Sequence, residues 1–327
     1  MGKFNMKKEI SIPIIGIISG ELIMFNGQIL TGLGIHIINF LAIILIIIFS
    51  KLSLKEKNVL QSLTLLILLR MTNLSMPQFF TNSLIQYPLI YGIMFLPVYM
   101  TIKNQKMSLS DIGINFRKLY IYLPVAMAIG IIMAIIEYRI IDPIGLIEKI
   151  RLSDIALISL VMFVFIGMTE ELIFRSILQT RLEKILGLRY GLLLTGGIFG
   201  MMHIGYGILD EILFAIIFGI VLGYIFQKTR NLLIVASIHG ATNVALFGIL
   251  PITSMSIVAN LQNVSLDIIT TSGKFVSIFL ITIFAISLLV SDTKYCNEYI
   301  SGILRTYSNP LLLVFASIVA FKIMLVI

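Results

Sequence analysis

Three stretches of this 327-residue sequence place ionisable, amide or aromatic side chains four residues apart inside apolar runs. They are Glu170-Glu171-Leu172-Ile173-Phe174-Arg175, Phe199-Gly200-Met201-Met202-His203 and His239-Gly240-Ala241-Thr242-Asn243. On a helix, residues four apart share a face. Glu171 and Arg175 can therefore pair, which neutralises both and orients the helix. Glu170 points about 100° away and keeps no such partner, so it is the carboxylate able to act as a base. The plainer alternative, two glutamates salt-bridged at a helix end, is costly because one arginine cannot cheaply neutralise two adjacent carboxylates. Phe199 and His203 share a second face, beside Gly196, Gly197 and Gly200, whose small surfaces admit a neighbouring helix. His239 and Asn243 share a third, and both can donate hydrogen bonds to a developing oxyanion. Taken singly, either histidine motif could be polar glue between helices.

Such groups need elements to hold them, and the composition says which. Residues of the set AVILMFWYC make up 58% of the chain, with 24 Gly besides, and only 12% are charged. A soluble domain carries about 25% charged residues. Mean hydropathy is +1.05. No soluble core absorbs that much apolar surface, so the excess faces lipid, and a soluble enzyme, a nucleic-acid-binding module and a disordered chain are excluded. The single cysteine, Cys296, rules out an internal disulfide and a Cys-rich metal site.

The expected fold class is all-α, a polytopic transmembrane helical bundle, because lipid tolerates only helices or closed barrels. Apolar runs at 10–25, 29–50, 58–76, 83–102, 119–137, 155–179, 190–207, 211–227, 231–250, 274–291 and 310–327 predict about eleven spans (nine to eleven), each near the 20 residues a bilayer requires. Basic residues near span ends fix orientation. Of the 24 Lys and Arg, Arg139, Lys149, Arg151 and Lys274 fall outside, Arg70, Arg175 and Lys322 fall within spans, and the rest lie on the side of the N-terminus. A multi-pass integral membrane protein with a cytoplasmic N-terminus follows, placed in the cell membrane if the source is prokaryotic. Residues 1–118 form N-terminal membrane helices without a legible role, and 119–250 form the core that carries the three motifs. Residues 103–118 read as a cytoplasmic loop or interfacial helix. An external loop and C-terminal helices fill 251–327.

Depth ties the motifs together. At about 1.5 Å per residue, Glu170, His203 and His239 lie roughly 16, 21 and 13 Å from the basic residues that mark the cytoplasmic edge. In a hydrocarbon core about 30 Å thick, that is one middle layer. Two of the chain's three histidines are in it, with only His36 elsewhere, so the three motifs read as one site.

In combination, Glu-Glu-x-x-x-Arg, Phe-x-x-x-His and His-x-x-x-Asn resemble the family of CAAX prenyl proteases and bacteriocin-processing proteins. That family (CPBP) holds the type II CAAX protease and relatives of Abi type, and the likeness covers about 165–250. It implies an intramembrane endopeptidase acting on a membrane-associated protein or peptide, prenylated or bearing a C-terminal sorting signal. Glu170 and His203 would activate water, and His239 and Asn243 would bind the oxyanion. Glu171, Arg175 and Phe199 would support them. No cofactor is favoured. A zinc alternative would use Glu170, His203 and His239 as ligands, a familiar catalytic set, although no His-Glu-x-x-His is present. Asn243, a poor zinc ligand and a good amide donor, tips the reading toward the metal-free glutamate mechanism. The lipid bilayer is a partner and nucleic acid is not. A non-catalytic immunity or scaffold protein, or a proton-coupled transporter, would use the same residues differently.

Overall fold

The computed structural model describes residues 6–75, 84, 86–253 and 298–309, and among them every regular element is helical. In chain order these are α1 (Lys8–Phe25), α2 (Ile29–Phe49), α3 (Leu54–Ser75), α4 (Gln86–Asn104), α5 (Leu119–Ile141), α6 (Leu152–Leu186), α7 (Leu188–Met201), α8 (Leu209–Thr229), α9 (Leu232–Thr253) and α10 (298–309). Five of them, α2, α5, α6, α8 and α9, are long and apolar enough to cross a membrane. The expected count of about eleven spans is therefore not established. The runs at 274–291 and 310–327, and the expected external loop beyond Thr253, lie outside the described residues.

The described residues group into two compact units. One draws on residues 6–75, 92–107 and 298–309, the other on 84, 86–91 and 108–253.

The first unit is organised around a buried charge. Glu21 of α1 takes a two-pronged contact from Arg70 of α3, with Arg70 Nε donating to Oε1 at 2.7 Å and a terminal nitrogen 2.7 Å from Oε2. His36 Nε2 of α2 stands 3.2 Å from the same carboxylate. Asn39 of α2 donates to the Pro13 carbonyl of α1 at 2.8 Å, so polar side chains tie the first two helices together as well. Farther along, Thr64 donates to Tyr307 Oη at 2.8 Å, and Phe40 packs edge-on against that tyrosine. Removing one partner of a buried ion pair strands the other, which costs about 3–5 kcal/mol, whereas replacing both is often neutral. Arg70→Met is expected to lower the thermal midpoint in detergent sharply, and Glu21→Met with Arg70→Met to restore most of it. A midpoint unchanged in the single variant would show that Glu21 is not held as an anion.

The second unit is built on close backbone crossings. A Cβ on Gly240 of α9 would sit 2.5 Å from the Phe163 ring and 2.9 Å from its Cα in α6, and one on Gly130 of α5 would sit 2.6 Å from the Ile238 carbonyl. Only glycine allows α6, α9 and α5 to touch at this range. Thr242 Oγ1 donates to the Gly130 and Ile238 carbonyls at 3.1 and 2.9 Å, fastening α9 to α5 from the same patch. Residues 108–118 are a turn-rich loop and not an interfacial helix. Ser108 caps its start: its N–H and Oγ both donate to Asp111 and hold that carboxyl below its usual range. The loop is fixed by hydrogen bonds from Ser176 to the Ile112 carbonyl at 2.6 Å, from Leu232 N–H to the Gly113 carbonyl at 2.8 Å, and from Asn231 to the Asn115 carbonyl at 2.8 Å.

Candidate active site

Helix α6 carries the first motif on an irregular stretch. Two π-helical segments, Val161–Gly167 and Leu172–Gln179, flank the short α-helical Met168–Glu171. Such wide turns occur often at functional sites, because they re-aim side chains without ending the helix. Here Glu170, Glu171 and Arg175 are all buried on this stretch.

The expected Glu171–Arg175 pair is present. Arg175 Nε lies 3.1 Å from Glu171 Oε2, with both side chains fully buried. Arg175 also donates to the Gly219 carbonyl of α8 at 3.2 Å, and its guanidinium sits 4.4 Å from the centre of the Phe199 ring. A desolvated cation over a ring is worth about 2 kcal/mol, so Phe199 holds Arg175 from α7 while α8 holds it from the other side.

Glu171 does more than pair with Arg175. Its Oε1 lies 2.8 Å from His239 Nδ1 of α9. The two adjacent glutamates therefore flank one imidazole, since His239 Nε2 is 3.9 Å from Glu170 Oε2. The spacing that separates Glu170 from Glu171 around α6 is what allows each to face a different ring nitrogen. Glu170 is not without a partner: Tyr91 of α4 donates its hydroxyl to Oε1 at 2.7 Å.

The seventh run, read as a span over 190–207, is shorter than expected. Helix α7 stops at Met201, and a 3₁₀ turn follows over Ile204–Tyr206. The reason is local. His203 Nδ1 bonds the Phe199 carbonyl at 2.9 Å, while the His203 N–H turns to Gly200. The side chain takes the acceptor that the backbone of a continued helix would have used. A carbonyl oxygen only accepts, so Nδ1 carries a proton, and in the neutral tautomer Nε2 would be the acceptor nitrogen. The Phe199 ring centre is 4.7 Å from that of His203 and 5.9 Å from that of His239, so one phenylalanine touches both histidines. Asn243, one turn beyond His239, is buried on α9.

Sequence reasoning missed two features. Tyr91 lies far upstream of the motifs, and a lone tyrosine in an apolar run carries no chemical signature, since such residues commonly sit at membrane interfaces. Glu137 of α5 and Glu211 of α8 are buried and near enough to repel, and both Glu211 oxygens lack a hydrogen-bond partner. A signal did exist for these, an acid inside an apolar run with no base four residues away. Among the described residues, no three His, Cys, Asp or Glu side chains are grouped so that they could hold a metal ion. Glu170, His203 and His239 are therefore not gathered as such a group.

No curated protein and no solved structure matches this chain. A family model does: residues 152–245, the stretch that holds Glu170, Glu171, Arg175, Phe199, His203, His239 and Asn243, match the Type II CAAX prenyl endopeptidase Rce1-like family, in agreement with the resemblance carried by the three motifs.

Proposed function

We propose that the protein is an intramembrane endopeptidase that hydrolyses a peptide bond of a membrane-associated protein, with Glu170 as its base. One observation supports this most: Glu170 Oε2 and His239 Nε2 face each other at 3.9 Å while the other polar atom of each is held, Oε1 by Tyr91 and Nδ1 by Glu171. That separation is too long for a hydrogen bond, and a slight opening of the pair would seat one bridging water between the two atoms. Glu170 takes a proton from this water, with His203 Nε2 as a second acceptor, and the oxygen attacks the scissile carbonyl carbon. The carbonyl oxygen becomes an oxyanion, to which Asn243 donates its amide N–H and protonated His239 its Nε2–H. With Glu170 and Glu171 ionised and Arg175 charged, a protonated His239 brings the buried group to net zero, the cheap condition inside a membrane. Collapse breaks the C–N bond, and Glu170 returns its proton to the leaving amine. No bound metal enters this scheme.

Substrates bearing a prenylated C-terminus or a C-terminal sorting signal both fit the reading. Comparing peptide termini in membranes of cells that make the wild type or Glu170→Gln, by mass spectrometry, separates them. New termini confined to wild-type cells are expected, and identical termini in the two would overturn an endopeptidase role.

The N-terminus is cytoplasmic in this proposal, on the strength of the uneven Lys and Arg distribution. Lys149→Cys, in a Cys296→Ser background, should then react with an impermeant maleimide in intact cells, because Lys149 is exposed in the segment between α5 and α6. Reaction only after permeabilisation would invert the topology.

A further inference from the structure

A carboxylate base has two oxygens, and free rotation about its last bond exchanges them. In Glu170 they are not equivalent. Oε1 accepts the Tyr91 hydroxyl at 2.7 Å, at the short end of the range for a hydroxyl on an ionised acceptor. Oε2 is turned toward His239 Nε2. Tyr91 is itself only 6% exposed, so its hydroxyl competes little with solvent, and it belongs to the same compact unit as α6 and α9. It lies outside the segment 152–245 that matches the family model.

We propose that Tyr91 is a positioning residue for hydrolysis: its hydroxyl fixes Glu170 Oε1 and thereby assigns Oε2 as the oxygen that receives the proton. The assignment rests on Glu170 being the base, as proposed above. Without the hydroxyl, Glu170 rotates among several settings, and only a fraction of them align Oε2 with the water. Misplacing a catalytic group by about 1 Å can cost as much as 100-fold in rate. Binding of the peptide uses other contacts, so KM should not follow kcat.

The test uses the full chain in proteoliposomes, with a synthetic peptide spanning a cleavage site found by the comparison of termini. Tyr91→Phe removes one oxygen and keeps the ring. It is expected to lower kcat about 10- to 100-fold, with KM within about twofold and the thermal midpoint unchanged. In the Glu170→Gln background the same change should cost nothing further. A second measurement does not use activity. The infrared carboxylate band that disappears in Glu170→Gln should shift in Tyr91→Phe, as the hydrogen bond to Oε1 is lost. Folded Tyr91→Phe with wild-type kcat, or with an unshifted band, would overturn the proposal while leaving Glu170 as the base. A kcat that falls only in step with the folded fraction would overturn it too, as a packing effect. Activity retained in Glu170→Gln would instead overturn the base assignment, and this proposal with it.

Discussion

Glu170→Gln is expected to reduce cleavage about 10²- to 10⁴-fold, the range a positioned general base supplies. The amide keeps the shape of the side chain and can still accept from Tyr91 at its oxygen, so the fold should persist in detergent. It cannot take a proton from water. The neighbouring variant gives the contrast. Glu171 lies between Arg175 and His239, at 3.1 Å and 2.8 Å, and Arg175 is wholly buried. Glu171→Gln strands that arginine, so its main effect should be a thermal midpoint lowered by the loss of about 3–5 kcal/mol. Two variants of identical chemistry, one residue apart, are thus expected to fail differently, one in rate with normal stability and the other in stability. Wild-type cleavage in Glu170→Gln would remove the base from this position. Comparable stability losses in both would show that the two carboxylates form one structural network without a division of roles.

That contrast also shows what could be read from residue order. The pairing of Glu171 with Arg175 followed from four-residue spacing, which holds in α-helical and in wider π-helical turns alike, so the irregular course of α6 did not disturb it. The apolar runs located most of the described helices within a few residues, because lipid imposes helix on any long apolar segment. Two helices were exceptions: α10, at 298–309, falls between the runs at 274–291 and 310–327, and α7 ends early. A hydropathy run cannot register that the His203 ring takes the Phe199 carbonyl and ends the helix near Met201. The contact of His239 with Glu171 was also illegible, since it depends on how α6 and α9 cross, and that crossing is set by the glycine at 240 meeting the backbone of Phe163. Spacing along one helix reports its faces; it does not report which face meets which partner. The same limit explains why residues 1–118 looked empty of chemistry. Arg70 was visible as a cation within a span, but its partner Glu21 is on another helix, and no periodicity links them.

Asn243→Ala is expected to slow turnover about 10²- to 10³-fold, the cost of removing one preorganised oxyanion donor. Asn243 is buried one helical turn beyond His239, on the helix that Gly240 brings against α6. In the proposed scheme its amide would act in a buried site, where a hydrogen bond to developing charge is stronger than in water. In that scheme the donor would act mainly on the oxyanion, which exists only after attack, so kcat should fall and KM should stay nearly constant. The outcome also separates two chemistries. In the amide-donor scheme, Asn243 meets the transition state directly and its loss is severe. In a zinc scheme, the metal would balance the oxyanion, Glu170, His203 and His239 would be its ligands, and Asn243 would be secondary, with an effect of a few fold. Kinetics of Asn243→Ala should be paired with metal analysis of the purified wild type and its activity after exhaustive chelation. A large kcat loss in the variant and chelation-resistant wild-type activity are the expected results. Stoichiometric zinc whose removal and return switch activity off and on, with near-normal kcat in Asn243→Ala, would overturn the amide-donor scheme.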